Sequence, residues 1–191
     1  MSILKKNGCK INVGCGDRKM WGYTNVDIRP DVQPDVVCDI SKLSTKFSDA
    51  KVIYAAHVLE HFPLKASKFA PTTYKDILAD WFEALGKGGT LRLAVPNMRA
   101  ACDRYLATGN LAEVQAFFFG GQKYDFDFHF HGWDFDTLKY DLEQAGFSDV
   151  KGYDWRKTDH FYVDDYSQAY LPHMDKSTGL LMSLNVEAKK L

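Results

Sequence analysis

An apolar run that stops at a glycine pair constrains this chain more than any other feature. Lys10-Ile-Asn-Val13 leads into Gly14-Cys-Gly16, and two further short apolar runs end in acids, Asp27 and Asp39. A parallel α/β sheet presents its carboxyl edge to a nucleoside in this way. The glycines let a ligand approach the backbone, and the acid on the next strand takes ribose hydroxyls.

Runs at 10–13, 24–28, 35–39, 52–56 and 90–95 read as strands, each β-branched or aliphatic and bounded by turn residues. The stretch 74–85 puts Ile77, Leu78, Trp81, Phe82 and Leu85 on one helical face and ends at Gly86. The stretch 135–145 does the same with Leu138, Leu142 and Ala145, opened by Asp134 as a cap and closed by Gly146. Strands follow at 150–155 and 180–188 with no regular crossover helix between them, so that pair is expected to be antiparallel. Elsewhere strands and helices alternate, which implies a mostly parallel sheet. Only 13 positions separate Gly14 from Asp27. That is too few for a full crossover helix, and an irregular loop or single helical turn is expected there. No repeat or linker interrupts the pattern, and 1–191 reads as one domain.

Composition narrows the class. Net charge is −1, which disfavours a nonspecific nucleic-acid binder. No apolar run approaches the roughly 20 residues that span a bilayer. Met1–Asn7 lacks the apolar core of a signal peptide, and the four cysteines show no CxxC spacing. Cys9, Cys15 and Cys38 read as small core or turn residues in a reducing compartment, so a cytoplasmic location is expected. Aromatic residues crowd the second half, where a substrate site is expected, and those left exposed suggest a homodimer.

With these motifs in order, the chain resembles the class I S-adenosylmethionine-dependent methyltransferases. It is similar to the small type found among cell-surface polysaccharide genes. The resemblance rests on Asn12-Val-Gly-Cys-Gly16, Asn25-Val-Asp27, Cys38-Asp39-Ile40 and His57-Val-Leu-Glu-His61. It continues through Gly88-Gly-Thr-Leu-Arg-Leu-Ala-Val-Pro-Asn97, Ala145-Gly-Phe147 and Ser183-Leu-Asn-Val-Glu187. It implies a Rossmann-like three-layer α/β sandwich whose seven-stranded sheet is mostly parallel, with one antiparallel strand near the C-terminus. It implies S-adenosyl-L-methionine as cofactor. Gly14, Cys15 and Gly16 should pass under its methionine and ribose, and Asp27 should accept from both ribose hydroxyls. Asp39 should take the adenine amino group beside the Ile40 backbone, and His57 should flank the methionine. Asn12 stands where an acid is often found, and the third motif glycine is missing. The acceptor is expected to be a small-molecule or sugar hydroxyl.

Methyl transfer from a sulfonium needs alignment and exclusion of water, and a hydroxyl acceptor gains from a base. His131, then His129, in Phe126-Asp-Phe-His-Phe-His-Gly-Trp-Asp134 are the candidates, with Tyr124, Phe128 and Trp133 as pocket walls. His57-Val-Leu-Glu60-His61 is similar to a Glu-x-x-Glu-His run of some small-RNA and ubiquinone-pathway O-methyltransferases, which binds a divalent ion with a later His. Here His129 or His131 stands as the later ligand, but His57 replaces the first Glu. The expectation is therefore no metal, with Glu60 and His61 holding the loop. The segment 155–175 is expected to arch over the active-site side as a lid or dimer contact. Phe117-Phe-Phe119 reads as helix core ending at glycines, and Arg99, Arg104 and Gln122 as solvated polar groups. Two other classes compete: a silent domain that binds cofactor or a partner without transfer, and a nicotinamide-dependent oxidoreductase. The latter needs G-x-G-x-x-G, and Lys19 stands at its last glycine.

Overall fold

Alternation along the strands decides how the sheet is covered. The computed structural model describes residues 8–191, so the reading of Met1–Asn7 lies outside the described residues. Strands β1 (Lys10–Val13), β2 (Thr24–Asp27), β3 (Val36–Val37), β4 (Ala50–Ala56), β5 (Leu85–Pro96) and β6 (Ser148–Gly152) are followed by β7 (Tyr170–Leu171), β8 (Leu180–Leu181) and β9 (Ser183–Lys189). The main sheet has the order β3-β2-β1-β4-β5-β9-β6. Only β9 runs against its neighbours, antiparallel to both β5 and β6. The seven-stranded, mostly parallel sheet and its reversed last strand match the expectation. The expected 180–188 strand is in fact two: β8 pairs with β7 in a separate ribbon, and β9 begins one residue later.

One face is apolar. Ile11, Val13, Ile53, Ala55, Leu91, Leu93, Val186 and Ala188 are buried there against helices α1 (Tyr74–Ala84) and α4 (Phe135–Gln144). Helix α1 contributes Ile77, Leu78 and Trp81, and α4 contributes Leu138 and Leu142, at the spacing of a helical stripe. Each helix opens with a reciprocal capping box. Thr73 pairs with Asp76 in α1 and Asp134 with Thr137 in α4. Helices α2 (Met98–Thr108) and α3 (Leu111–Phe119) form a separate cluster, where Phe117 and Phe118 pack with Ala100, Ala101, Val114 and Met182.

The opposite face carries Lys10, Asn12, Tyr54, Arg92, Asn185 and Glu187, and among the described residues no long helix covers its centre. The loop 14–23 and the segment 153–169, with 3-10 turns at Trp155–Lys157 and Tyr166–Gln168, lie there instead. Polar bonds attach them. Asp159 takes Lys10, Tyr23 and Arg92, Asp165 accepts from Tyr54 at 2.7 Å, and Asn185 donates to the Ser167 carbonyl at 2.9 Å. The His160 ring lies 4.1 Å from that of Tyr54 and is 1% exposed. Most of the segment 155–175 thus covers the back of the sheet rather than the active-site side; Tyr166 reaches that side, its ring 5.2 Å from that of His57, and no residue of the segment lines the pocket described below. The loop 14–23 has no helix, as its length required. Among the described residues no helix is long and apolar enough to cross a membrane.

Candidate functional site

The carboxyl ends of β1, β2 and β4 open onto a pocket of about 390 Å³. The turn after β1 shapes its floor. Gly14 has φ of +63°, and a Cβ there would come within 2.6 Å of the Val58 side chain. Both conditions exclude other residues, since L side chains resist positive φ and the neighbour is a branched side chain in the core. The turn is locked to the next strand: Gly16 donates its N–H to Asp27 Oδ2 at 2.8 Å, and Cys15 N–H bonds the Val26 carbonyl at 3.1 Å. Asp27 Oδ1 accepts from the Arg29 N–H at 2.9 Å, and the Arg29 Nε lies 3.5 Å away. Asp27 is nearly buried, yet two carboxylate oxygens have about four acceptor sites, so capacity remains.

Asp39 caps the 3-10 turn Ile40–Thr45. Its Oδ1 accepts from the N–H and the hydroxyl of Ser41, at 3.0 and 2.7 Å. Helix α1 holds this turn in place: Trp81 Nε1 donates to the Ile40 carbonyl at 3.0 Å, and Asp80 accepts from Ser44. This wall of the pocket is thus braced by the apolar layer behind it.

After β4 the chain turns sharply at His57, whose φ is +53°. Such a conformation in a non-glycine residue is uncommon, and it brings His57 and His61 to the pocket wall. Between them Glu60 is fully buried, with His57 Nδ1 at 3.3 Å and His129 Nε2 at 3.9 Å from its Oε1. Burial dominates the electrostatics. It pushes the Glu60 carboxyl up to about 8 and the His57 imidazole down to about 3, with His129 and His61 adding to the latter. Burial also lowers His61 and His129.

The structure sorts the sequence-derived residues. Gly14, Asp27, Asp39, Ile40 and His57 all line the pocket, and Gly16 backs it through Asp27. Asn12 and Cys15 do not line it. Asn12 Nδ2 donates to the Arg18 carbonyl and to Asn25 Oδ1, so it ties down the loop. Cys15 is buried, and burial raises its thiol to about 11. The expected bases are displaced. His131 stacks on Tyr74 at 4.7 Å and meets Trp133 edge-on at 4.5 Å, in a different groove that also includes Tyr140 and Asp141. His129 turns inward, its Nδ1 bonded to the Phe117 carbonyl at 3.0 Å. Phe126, Phe128 and Phe130 line the pocket instead, with Tyr124, Phe62 and Phe69. An extended segment alternates its side chains, so the phenylalanines and histidines of this run face opposite ways. That alternation was present in the sequence. Trp133 is core, Arg99 and Arg104 pair with Asp103 and Glu113, and Gln122 bonds the Phe119 carbonyl.

No protein-family model matches the chain, and no curated protein matches it. Solved structures do. A methyltransferase dependent on S-adenosylmethionine from Archaeoglobus fulgidus superposes with a TM-score of 0.55 at 15% identity, over 98% of this chain and 88% of that one. The fold is that of S-adenosylmethionine-dependent methyltransferases. One from Thermotoga maritima, described as a possible histamine N-methyltransferase, gives 0.56 at 12% identity, over 98% and 84% of the two chains. A TehB-like methyltransferase from Corynebacterium glutamicum gives 0.50 at 15%, over 98% and 83%.

Proposed function

We propose that this chain binds S-adenosyl-L-methionine across the carboxyl rim of its sheet and transfers the methyl group to a small-molecule or sugar hydroxyl. The observation that carries this reading is the coupling of Gly14, Gly16 and Asp27 into one pocket floor. Gly14 and Asp27 both line the pocket, and Asp27 keeps acceptor capacity after holding the Gly16 N–H. About 390 Å³ is a volume ordinary for a ligand of this size.

Bound there, the cofactor supplies a methyl group already activated by its sulfonium. The chain's own residues have the rest to do. Asp27 holds the ribose hydroxyls and Asp39, through Oδ2, the adenine amino group beside Ile40. Gly14 and Gly16 let the ligand lie on the backbone. His57, on the pocket wall, flanks the methionine, and its imidazole, held neutral by burial, is placed to accept a hydrogen bond from an acceptor hydroxyl and orient it. It takes the place beside the acceptor expected for His131 and His129, because neither of those lines the pocket. Phe128, Phe130 and Tyr124 exclude water from the line of attack.

A specific observation counts against the nicotinamide reading. A dinucleotide site sets its pyrophosphate at the N-terminus of a helix that follows the glycine turn, and residues 14–23 form no helix. Transfer of tritiated methyl to pools of sugars and small hydroxyl compounds tests the proposal. Labelled product from the wild-type chain, lost in Asp27→Ala, supports it. Cofactor binding without any labelled product identifies a silent binder.

A further inference from the structure

The buried carboxyl of Glu60 lacks the partners such a group needs. It is fully inaccessible, and neither Oε1 nor Oε2 has a hydrogen-bond partner. A carboxyl taken out of water without a donor or a cation is strongly disfavoured. Two of the three imidazoles around it, His61 and His129, are arranged to supply lone pairs rather than protons. His129 Nδ1 lies 3.0 Å from the Phe117 carbonyl oxygen, and His61 Nδ1 lies 3.0 Å from that of Phe128. A carbonyl oxygen only accepts, so each imidazole carries its proton on Nδ1 and keeps the Nε2 lone pair. The His129 Nε2 lies 3.9 Å from Glu60 Oε1, too far for a hydrogen bond. The His61 and His129 rings are 5.1 Å apart.

Backbone carbonyls that pin Nδ1–H and free Nε2 are the usual outer support of imidazole ligands. One ligand atom from each of Glu60, His61 and His129 lies within 4.8 Å of the others. Ligand atoms about 2.1 Å from a shared ion sit roughly 3 to 3.5 Å apart. Small side-chain rotations close that gap. The nearest polar neighbour, His57 Nδ1 at 3.3 Å from Oε1, makes no hydrogen bond to it, so the protein's own groups leave both oxygens unpartnered.

We propose that Glu60, His61 and His129 bind a first-row divalent cation, with zinc the leading choice. One carboxylate and two imidazoles form a mixed oxygen and nitrogen set suited to zinc, cobalt, iron or manganese and poor for calcium. Three protein ligands leave a position for water or for an oxygen of a bound molecule, as in open metal sites. His61 lines the pocket, so that position borders it. The expectation of no metal rested on His57 standing in place of an acid, and this ligand set does not require His57. The inference stands independently of the methyl-transfer reading.

The test uses the metal alone. The chelator-stripped full chain is titrated with Co²⁺ followed by visible absorption, and Zn²⁺ content is measured after loading and desalting. The expected result is one ion per chain and weak d–d bands without thiolate charge transfer. Glu60→Gln, His61→Ala and His129→Asn should each weaken binding at least tenfold. Circular dichroism and thermal unfolding identify which variants are folded, and the three substitutions give independent chances of a folded readout. Failure of the folded wild-type chain to bind stoichiometrically overturns the proposal. So does equal binding by any folded variant, or a thiolate spectrum.

Discussion

Gly16 donates its backbone N–H to Asp27 Oδ2 across 2.8 Å, so the turn after β1 and the acid ending β2 are one unit. The same carboxylate takes the Arg29 N–H on its other oxygen. Asp27 therefore both holds the pocket floor and faces the pocket.

Replacing Asp27 with Ala removes the proposed ribose acceptor and frees the turn. Affinity for S-adenosylhomocysteine should fall about 10- to 100-fold, equivalent to about 1.5–3 kcal/mol for charge-assisted bonds. Calorimetric titration reads this directly, and an unchanged affinity removes Asp27 from the nucleoside site.

Gly14→Ala forces a Cβ into positive φ and against Val58. Stability should drop by about 1–3 kcal/mol in urea unfolding. A variant as stable as the parent means that the close approach to Val58 is absent in solution.

His131 lies against Tyr74 and Trp133 rather than in the pocket. His131→Ala should leave cofactor affinity and methyl-transfer rate within about threefold while costing about 0.5–1.5 kcal/mol of stability, typical of an aromatic contact. A large loss of rate in a variant of normal stability and cofactor affinity would return it to the role of base.

Burial, aided by Arg92, presses the His160 imidazole down to about 4 from its ordinary value near 6.5. The unfolded chain then binds more protons than the native one between those two values. The stability contributed by neutral His160 is complete above pH 6.5 and is lost as pH falls toward 4. Comparing pH 7 with pH 5, the wild type should lose about 2 kcal/mol more than His160→Phe. Parallel denaturation profiles for the two proteins would contradict this.

What could be read along the chain was local. The glycine turn, the two acids and the Asp134 cap each declare themselves within a few residues. The reversal of β9 also followed from a local fact, the missing crossover helix. The back cover of the sheet could not be read so directly. Its bonds join Lys10 and Tyr23 to Asp159, and Tyr54 to Asp165, across more than a hundred residues, and polar pairing leaves no periodic trace. The position of His129 and His131 outside the pocket has a different origin. Phe126, Phe128 and Phe130 alternate with His129 and His131, and one face had to be chosen for the pocket. The phenylalanines took it, because the inward side offers His129 the Phe117 carbonyl and His131 the Tyr74 ring.

The most direct measurement is a pair of calorimetric titrations of the wild-type chain, one with S-adenosyl-L-methionine and one with NAD. Saturable one-to-one binding of the first, with no heat from the second, is the expected result. Binding of NAD alone, or of neither, contradicts a nucleoside site formed by Gly14, Gly16 and Asp27 for a sulfonium donor.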